Sequence, residues 1–424
     1  MGLFSPAGPL PGRGPAFSFY DRFMRLFAFF LLLPVACMAV EPLAFEVKVD
    51  TIAGQTAPEW QWFHPRPAAI PGFGKAGAPL STITLQKHLF TSDYYSGLFT
   101  MTSQDFGKTW TGPIEIPELG WRKESDAVDI AVADVTPGWH GKTGKLIAIG
   151  AQVRYDKQGR QLDDKPHSHQ TAYAVFDPRT GRWSPWKTIR MPAERRFNFA
   201  RSACAQWLEM DDGTVLLPFY HGPNASAPHS VTVAQFRFDG RELEYLRHGS
   251  EHELNVVRGL VEPSIVKYAG RYFLTIRNDL KGYVTVSEDG LRYGPIKEWT
   301  FDDGGELGSY NTQQHWLAHS DGLFLAYTRK GANNDHVIRH RAPLFLAQVD
   351  AENLRVMRRT EKILLPERGA TYGNFGAAAM TAEESWVTDA EGMFSKVARE
   401  RGARGRVLVA RVIWSKPNRL VKRR

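Results

Sequence analysis

From about residue 45 onward, apolar and β-branched residues come in short runs cut by Gly, Pro, Asn and Asp. Lys145-Leu-Ile-Ala-Ile-Gly150, Gly270-Arg-Tyr-Phe-Leu-Thr-Ile-Arg277, Gly322-Leu-Phe-Leu-Ala-Tyr327 and Arg406-Val-Leu-Val-Ala-Arg-Val-Ile-Trp414 are of this kind. None continues long enough at helical period to argue for a helix, so the pattern predicts an all-β chain of many short strands. Six stretches share one order: a polar cluster, an apolar strand, then a turn. The polar starts are His64-Pro-Arg66-Pro, Glu124-Ser-Asp126-Ala-Val-Asp129, Arg201-Ser-Ala-Cys-Ala-Gln206, Val261-Glu262-Pro263, Tyr310-Asn-Thr-Gln-Gln-His315 and Thr371-Tyr372-Gly-Asn374. They recur every ~50–75 residues, a period that suits units of four antiparallel strands. Six units predict a six-bladed β-propeller whose first strands line one axis and bring the polar starts to one pocket. Pro42 to Asp50 is expected to pair with the C-terminal strand and close the ring, its Pro standing where a strand tolerates one.

The sharpest turn is Ser103-Gln-Asp105-Phe-Gly107-Lys-Thr-Trp110. Ser and Asp can bond the backbone of a tight turn, and Gly takes the positive-φ position. A shortened echo, Ser287-Glu-Asp289-Gly290-Leu-Arg-Tyr293, follows the fourth unit. The pattern resembles the Asp box of sialidase-type propellers, which joins the third and fourth strands of a blade away from the active site. The resemblance covers about residues 45 to 416. It implies a sialidase-like fold and, as an expectation, a glycoside hydrolase acting on a carboxylated sugar.

The same resemblance suggests site residues. Arg66 stands where sialidases carry the first Arg of a carboxylate clamp, although its neighbours differ from their F-R-I-P. Asp93 stands a short strand before the first Asp box, the place of the acid/base. Glu262-Pro263 followed by Arg277 matches a Glu-Pro, strand, Arg arrangement. Arg341 and Tyr372 fall where the third Arg and the nucleophilic Tyr are expected, with Arg339 and Tyr310 as competitors; Gly373 replaces the usual Ser after the Tyr. Arg201, Gln314 and His315 are further candidates for substrate binding. The chemistry is coherent: guanidinium forks bind a carboxylate bidentately. A phenol with pKa near 10 is a weak nucleophile unless a carboxylate such as Glu262 takes its proton. Asp93 would protonate the leaving oxygen and later activate water. The handful of His residues around Asn311 to His315, His336 and His340, with His64, His88 and His221, leaves two alternatives open. One is a lyase or unusual glycosidase acting on uronate polysaccharide; the other is a non-catalytic glycan-binding propeller. No spacing forms a metal motif, so no metal and no cofactor is expected.

Composition adds little except at the ends. The net charge is +8, but Ser415 to Arg424 holds five basic residues and no acid, a tail and not a nucleic-acid surface. Arg22 and Arg25 precede the apolar Leu26 to Ala39, too short to span a membrane. The expected organisation is a signal peptide over 1–40, a propeller over 41–416 and a basic tail over 417–424. The mature protein would be secreted or periplasmic, without a membrane span; a lipid anchor at Cys37 is the lesser alternative. With Cys37 removed, Cys204 would be alone and no intrachain disulfide could form.

Overall fold

The computed structural model describes residues 41–54 and 56–421. The expected signal peptide over 1–40, with Cys37, and the final residues 422–424 lie outside the described residues. From Pro42 onward the chain forms six antiparallel sheets. The first blade is Gln61–Ile70, Leu80–His88, Tyr95–Ser103 and Thr111–Glu115. The second is built on Asp129–His140, Lys145–Tyr155 and Thr171–Asp177, with short pieces at its edges. The third runs Phe199–Arg201, Val215–Gly222, Ser230–Phe238 and Leu243–His252. The fourth is Val261–Tyr268, Arg271–Arg277, Gly282–Ser287 and Lys297–Glu298. The fifth has His315–His319, Gly322–Tyr327, Leu344–Asp350 and Arg355–Val356.

The sixth blade contains both ends of the chain. Gly376–Ala379, Glu384–Ala390 and Val407–Trp414 are completed by Phe45–Ala53. Phe45 pairs with Trp414 and Thr51 with Leu408, so the ring is latched by a full antiparallel ladder, as expected. The closing strand is the outermost of its sheet and ties the two ends of the chain into one blade.

Alternate residues of the middle strands fill the spaces between blades. Phe273, Trp299, Trp316, Leu325 and Val356 form one such layer, joining the fourth and fifth blades. The Asp box does the same at the ring closure. Asp105 Oδ1 accepts the Thr109 N–H at 2.8 Å, Ser103 Oγ accepts the Gly107 N–H at 2.7 Å, and Gly107 has φ +84°. The turn presents Phe106 and Trp110 to Trp386 of the sixth blade, at ring distances of 5.1 and 6.1 Å. The second box places Gly290 so close to Leu216 that a Cβ would lie 2.4 Å from its Cδ1.

The expected basic tail is in part docked. Asn418 is buried, accepts the Ser320 N–H at 2.9 Å and donates to the Ala318 carbonyl at 2.9 Å. No helix of the described residues is long and apolar enough to cross a membrane.

Candidate active site

Five blades bend the chain in the same way where it enters the axis. His64, Asp134, Cys204, Glu262 and Asn311 have φ of 51°, 57°, 55°, 47° and 50°. Three of these bends are bulges in the sheet register, between Phe63 and Arg66, Ala133 and Thr136, and Val261 and Ser264. A bulge lifts one residue out of the pleat and re-aims its side chain. Left-handed backbone costs a side-chain-bearing residue ~1–2 kcal/mol, and such strain collects at functional sites. Here it gathers His64, Asp134, Cys204 and Glu262 around the axis. Above them opens a cavity of about 440 Å³ lined by Asp93, Tyr95, Asp134, Cys204, Glu262, four arginines and an aromatic wall that includes Phe63 and Phe394. The volume lies within the ~300–1,000 Å³ of small-molecule sites.

One side of the cavity carries Asp93, exposed at the end of the loop between two strands of the first blade. Four side chains fix this loop. Both His88 nitrogens are engaged, Nδ1 accepting the Phe90 N–H at 3.0 Å and Nε2 donating to the Ser92 carbonyl at 2.6 Å. The Asp93 carbonyl accepts from Tyr155 Oη at 2.9 Å and Gln161 Nε2 at 3.2 Å. Tyr95 donates its hydroxyl to Asp93 Oδ1 at 3.1 Å. Burial, with Asp93 beside it, keeps the Tyr95 phenol far above its usual range, so it stays a donor.

The other side is cationic. Arg277 Nη1 lies 2.5 Å from Glu262 Oε1, and its Nη2 donates to Asn311 Oδ1 at 2.8 Å. Burial pushes the Glu262 carboxyl up, but Arg277, helped by Arg258 and Arg341, outweighs it and holds the group ionised. Arg341 is different. Its Nε donates to Thr312 Oγ1 at 2.8 Å and its Nη2 to the Asn311 carbonyl at 2.6 Å. No carboxylate among the described residues forms an ion pair with it or with exposed Arg339. Burial, with Arg277 and Arg339 nearby, lowers the Arg341 pKa to about 10.

The floor is a tight polar group. His64 Nε2 is 3.2 Å from Asp134 Oδ1 and 3.1 Å from Asn374 Oδ1. Asp134 Oδ2 is 3.3 Å from Arg201 Nη2. Burial, with Arg66 next to it, drops the His64 pKa to about 3, so the ring is neutral. Burial raises the Asp134 carboxyl against the pull of Arg201, and raises the Cys204 thiol well above its usual range.

Of the residues expected from sequence, Asp93, Glu262, Arg277 and Arg341 line the cavity. The others do not. Arg66 is fully buried beneath the floor, bonded to His315 Nε2 at 3.1 Å and Gln313 Oε1 at 3.4 Å. The second nitrogen of His315 meets Ser264 Oγ at 3.1 Å, and Gln314 is buried between Thr275 and Ser309. These three hold the inner channel together. Arg201 serves Asp134. Tyr372 is fully buried in the apolar layer with Leu344, Leu365 and Phe375, its hydroxyl unpartnered. Its charged neighbours are Glu391, Asp389, Arg406 and Arg368, not Glu262. The expected Tyr372–Glu262 pair is therefore not formed: Thr371 and Asn374 of the same loop face the cavity in its place. Tyr310 bonds His340 Nδ1 at 2.6 Å and is no substitute. Asp134, Tyr95, Cys204 and Arg258 join the site without having been singled out for it, and His64, one of the histidines noted in the sequence, sits at its floor.

No family model and no curated protein matches this sequence. Solved structures do resemble it. A protein of unknown function from Dyadobacter fermentans DSM 18053 is 13% identical with a TM-score of 0.60, covering 87% of this chain and 99% of that one. The sialidase of Trypanosoma rangeli is 13% identical with a TM-score of 0.57, covering 87% of this chain. This chain spans 60% of that sialidase's length. The endosialidase of phage phi92 is 11% identical with a TM-score of 0.56, covering 90% of this chain and 71% of that one. The architecture is thus the six-bladed propeller of the sialidases. At these identities the likeness is one of fold.

Proposed function

We propose that the protein is a sialidase-like glycoside hydrolase that removes a terminal carboxylated sugar from glycans. The observation that carries this reading is Arg341. Arg341 is half-buried, forms no ion pair among the described residues while Glu262 is engaged by Arg277, and borders a cavity beside Arg277 and Arg339. A ligand carboxylate would supply the missing charge through paired N–H···O bonds. In the solved sialidase complexes, the T. rangeli enzyme holds sialic acid, a sugar of the class proposed.

Asp93 gives its proton to the glycosidic oxygen as the bond to the anomeric carbon breaks. Glu262, kept ionised by Arg277, is a weak base but a fixed negative charge, suited to the cation developing on the sugar. Water then adds to the anomeric carbon and returns a proton to Asp93. Elimination from a uronate is less well supported. It asks for a free imidazole or phenol base, and His64, His88 and His315 all have ring nitrogens engaged or sealed from solvent.

The test is turnover of fluorogenic aryl glycosides of sialic acid and of hexuronic acids. Release of the aryl alcohol, lowered ~10²–10⁴-fold in Asp93→Asn, is expected. Absence of release from every carboxylated glycoside would overturn the reading. Ultraviolet absorbance from an unsaturated product would replace hydrolysis with elimination.

A further inference from the structure

We propose that His64, Asp134 and Cys204, completed by Asn374, form a binding site for a divalent cation of the zinc type at the cavity floor. One donor atom from each of the first three lies within 4.8 Å of the other two. His64 Nε2 is 3.2 Å from Asp134 Oδ1 and 3.1 Å from Asn374 Oδ1. Metal bonds of ~2.0–2.2 Å to nitrogen and oxygen at tetrahedral angles set ligand atoms ~3.3 Å apart, which these spacings nearly match.

Hydrogen bonding alone accounts for the cluster poorly. Nε2 has one proton at most, yet it faces two oxygens at bonding distance. A cation shared by Nε2 and both oxygens uses all three contacts. The donor types point the same way. Imidazole, carboxylate and sulfur together suit zinc and its transition-metal neighbours, whereas magnesium and calcium take oxygen ligands.

Charge and access are also favourable. The Asp134 carboxylate and a Cys204 thiolate neutralise a dication, so it can sit in a cavity already rich in arginine. Binding would release the thiol proton. Arg201 engages Oδ2 of Asp134, leaving Oδ1 for the metal. Asp134, Cys204 and Asn374 border the cavity, so the cation would face the space where a ligand sits, as in sites that keep an open position. The four residues come from four blades, three of them through left-handed bends. No linear spacing motif could have shown the site. The inference stands apart from the hydrolase reading, since its readouts are binding and spectra.

The experiment uses the full mature protein, stripped with chelator and titrated with Zn²⁺ by calorimetry and with Co²⁺ by absorption. Binding of about one equivalent, with tetrahedral Co²⁺ bands and a thiolate-to-cobalt charge-transfer band, is expected. Cys204→Ser should remove the charge-transfer band and weaken Zn²⁺ by at least ~10-fold. A wild-type protein that binds neither ion stoichiometrically, or binds Co²⁺ without the charge-transfer band, overturns the proposal. So does a Cys204→Ser protein that binds Zn²⁺ as wild type does. The wild-type spectra decide the matter even if the variant fails to fold.

Discussion

Tyr95 donates its hydroxyl to Asp93 Oδ1 at 3.1 Å from inside the first blade. It reaches from the buried side of the cavity wall to a carboxylate at the exposed rim. The loop backbone is already held by His88, Tyr155 and Gln161; this bond is the one that fixes the Asp93 carboxylate itself against the rigid sheet. Tyr95→Phe keeps the ring packing on Phe63 (5.9 Å between centroids) and removes only this tether. A fall in kcat of about 10-fold with little change in KM is expected, the pattern for lost transition-state positioning. Steady-state kinetics on the active glycoside checks it.

Tyr372 predicts the opposite. Its hydroxyl is buried with no partner, which costs ~1–3 kcal/mol. Tyr372→Phe should raise the melting temperature and leave kcat within about 2-fold of wild type, because no reacting group is within its reach. A loss of activity comparable to that of Asp93→Asn would restore the tyrosine to the mechanism.

The Arg277–Glu262 pair is almost fully enclosed, at 7% and 13% exposure. Arg277→Met strands a buried carboxylate and should cost ~3–5 kcal/mol in urea unfolding. Adding Glu262→Gln should recover much of that loss, giving a large favourable coupling in the double-mutant cycle. Additive losses would mean that the two charges do not depend on one another.

Acid should destabilise the fold through buried histidines. Burial, with Arg201 nearby, brings His169 to about 3, and burial with Arg258 brings His229 to about 4. Both folded pKa values lie below the unfolded ~6.5, so between them the unfolded chain binds more protons. Stability therefore rises with pH across that window, is fully present above about 6.5 and is lost as pH falls. Each histidine should remove about 2 kcal/mol between pH 7 and pH 5. His229→Phe, which keeps the stack on Phe199 (4.5 Å), should flatten the dependence of melting temperature on pH over that range.

Much of the fold was legible because it rests on local chemistry. The strand runs, the ladder from Phe45 to Trp414 and the Asp box at Ser103 follow from alternation and turn residues. The box also fixed the first blade, and its echo at Ser287 the fourth, where Asp93, Glu262 and Arg277 proved to line the cavity. The floor was hidden for a physical reason. Asp134 interrupts the apolar run Ile130 to Val135, and that lone acid was the available signal. The polar start assigned to its blade, Glu124 to Asp129, lies outside the axis, where Glu124 pairs with Arg154. Positive-φ bends break the two-residue alternation, so no pattern marks which residue a bulge turns inward. In the sixth blade no Asp box sets the register. There Tyr372 lies on an irregular loop, and the packing of its ring against Phe375 and Leu344 decided its direction.

The central claim is that Arg341 waits for a ligand carboxylate. Calorimetric titration of sialic acid against its methyl ester, on wild type and on Arg341→Ala, tests it most directly. The account predicts that wild type binds the acid at least ~10-fold more tightly than the ester, and that Arg341→Ala erases the difference. Equal affinity for acid and ester in the wild type would contradict it.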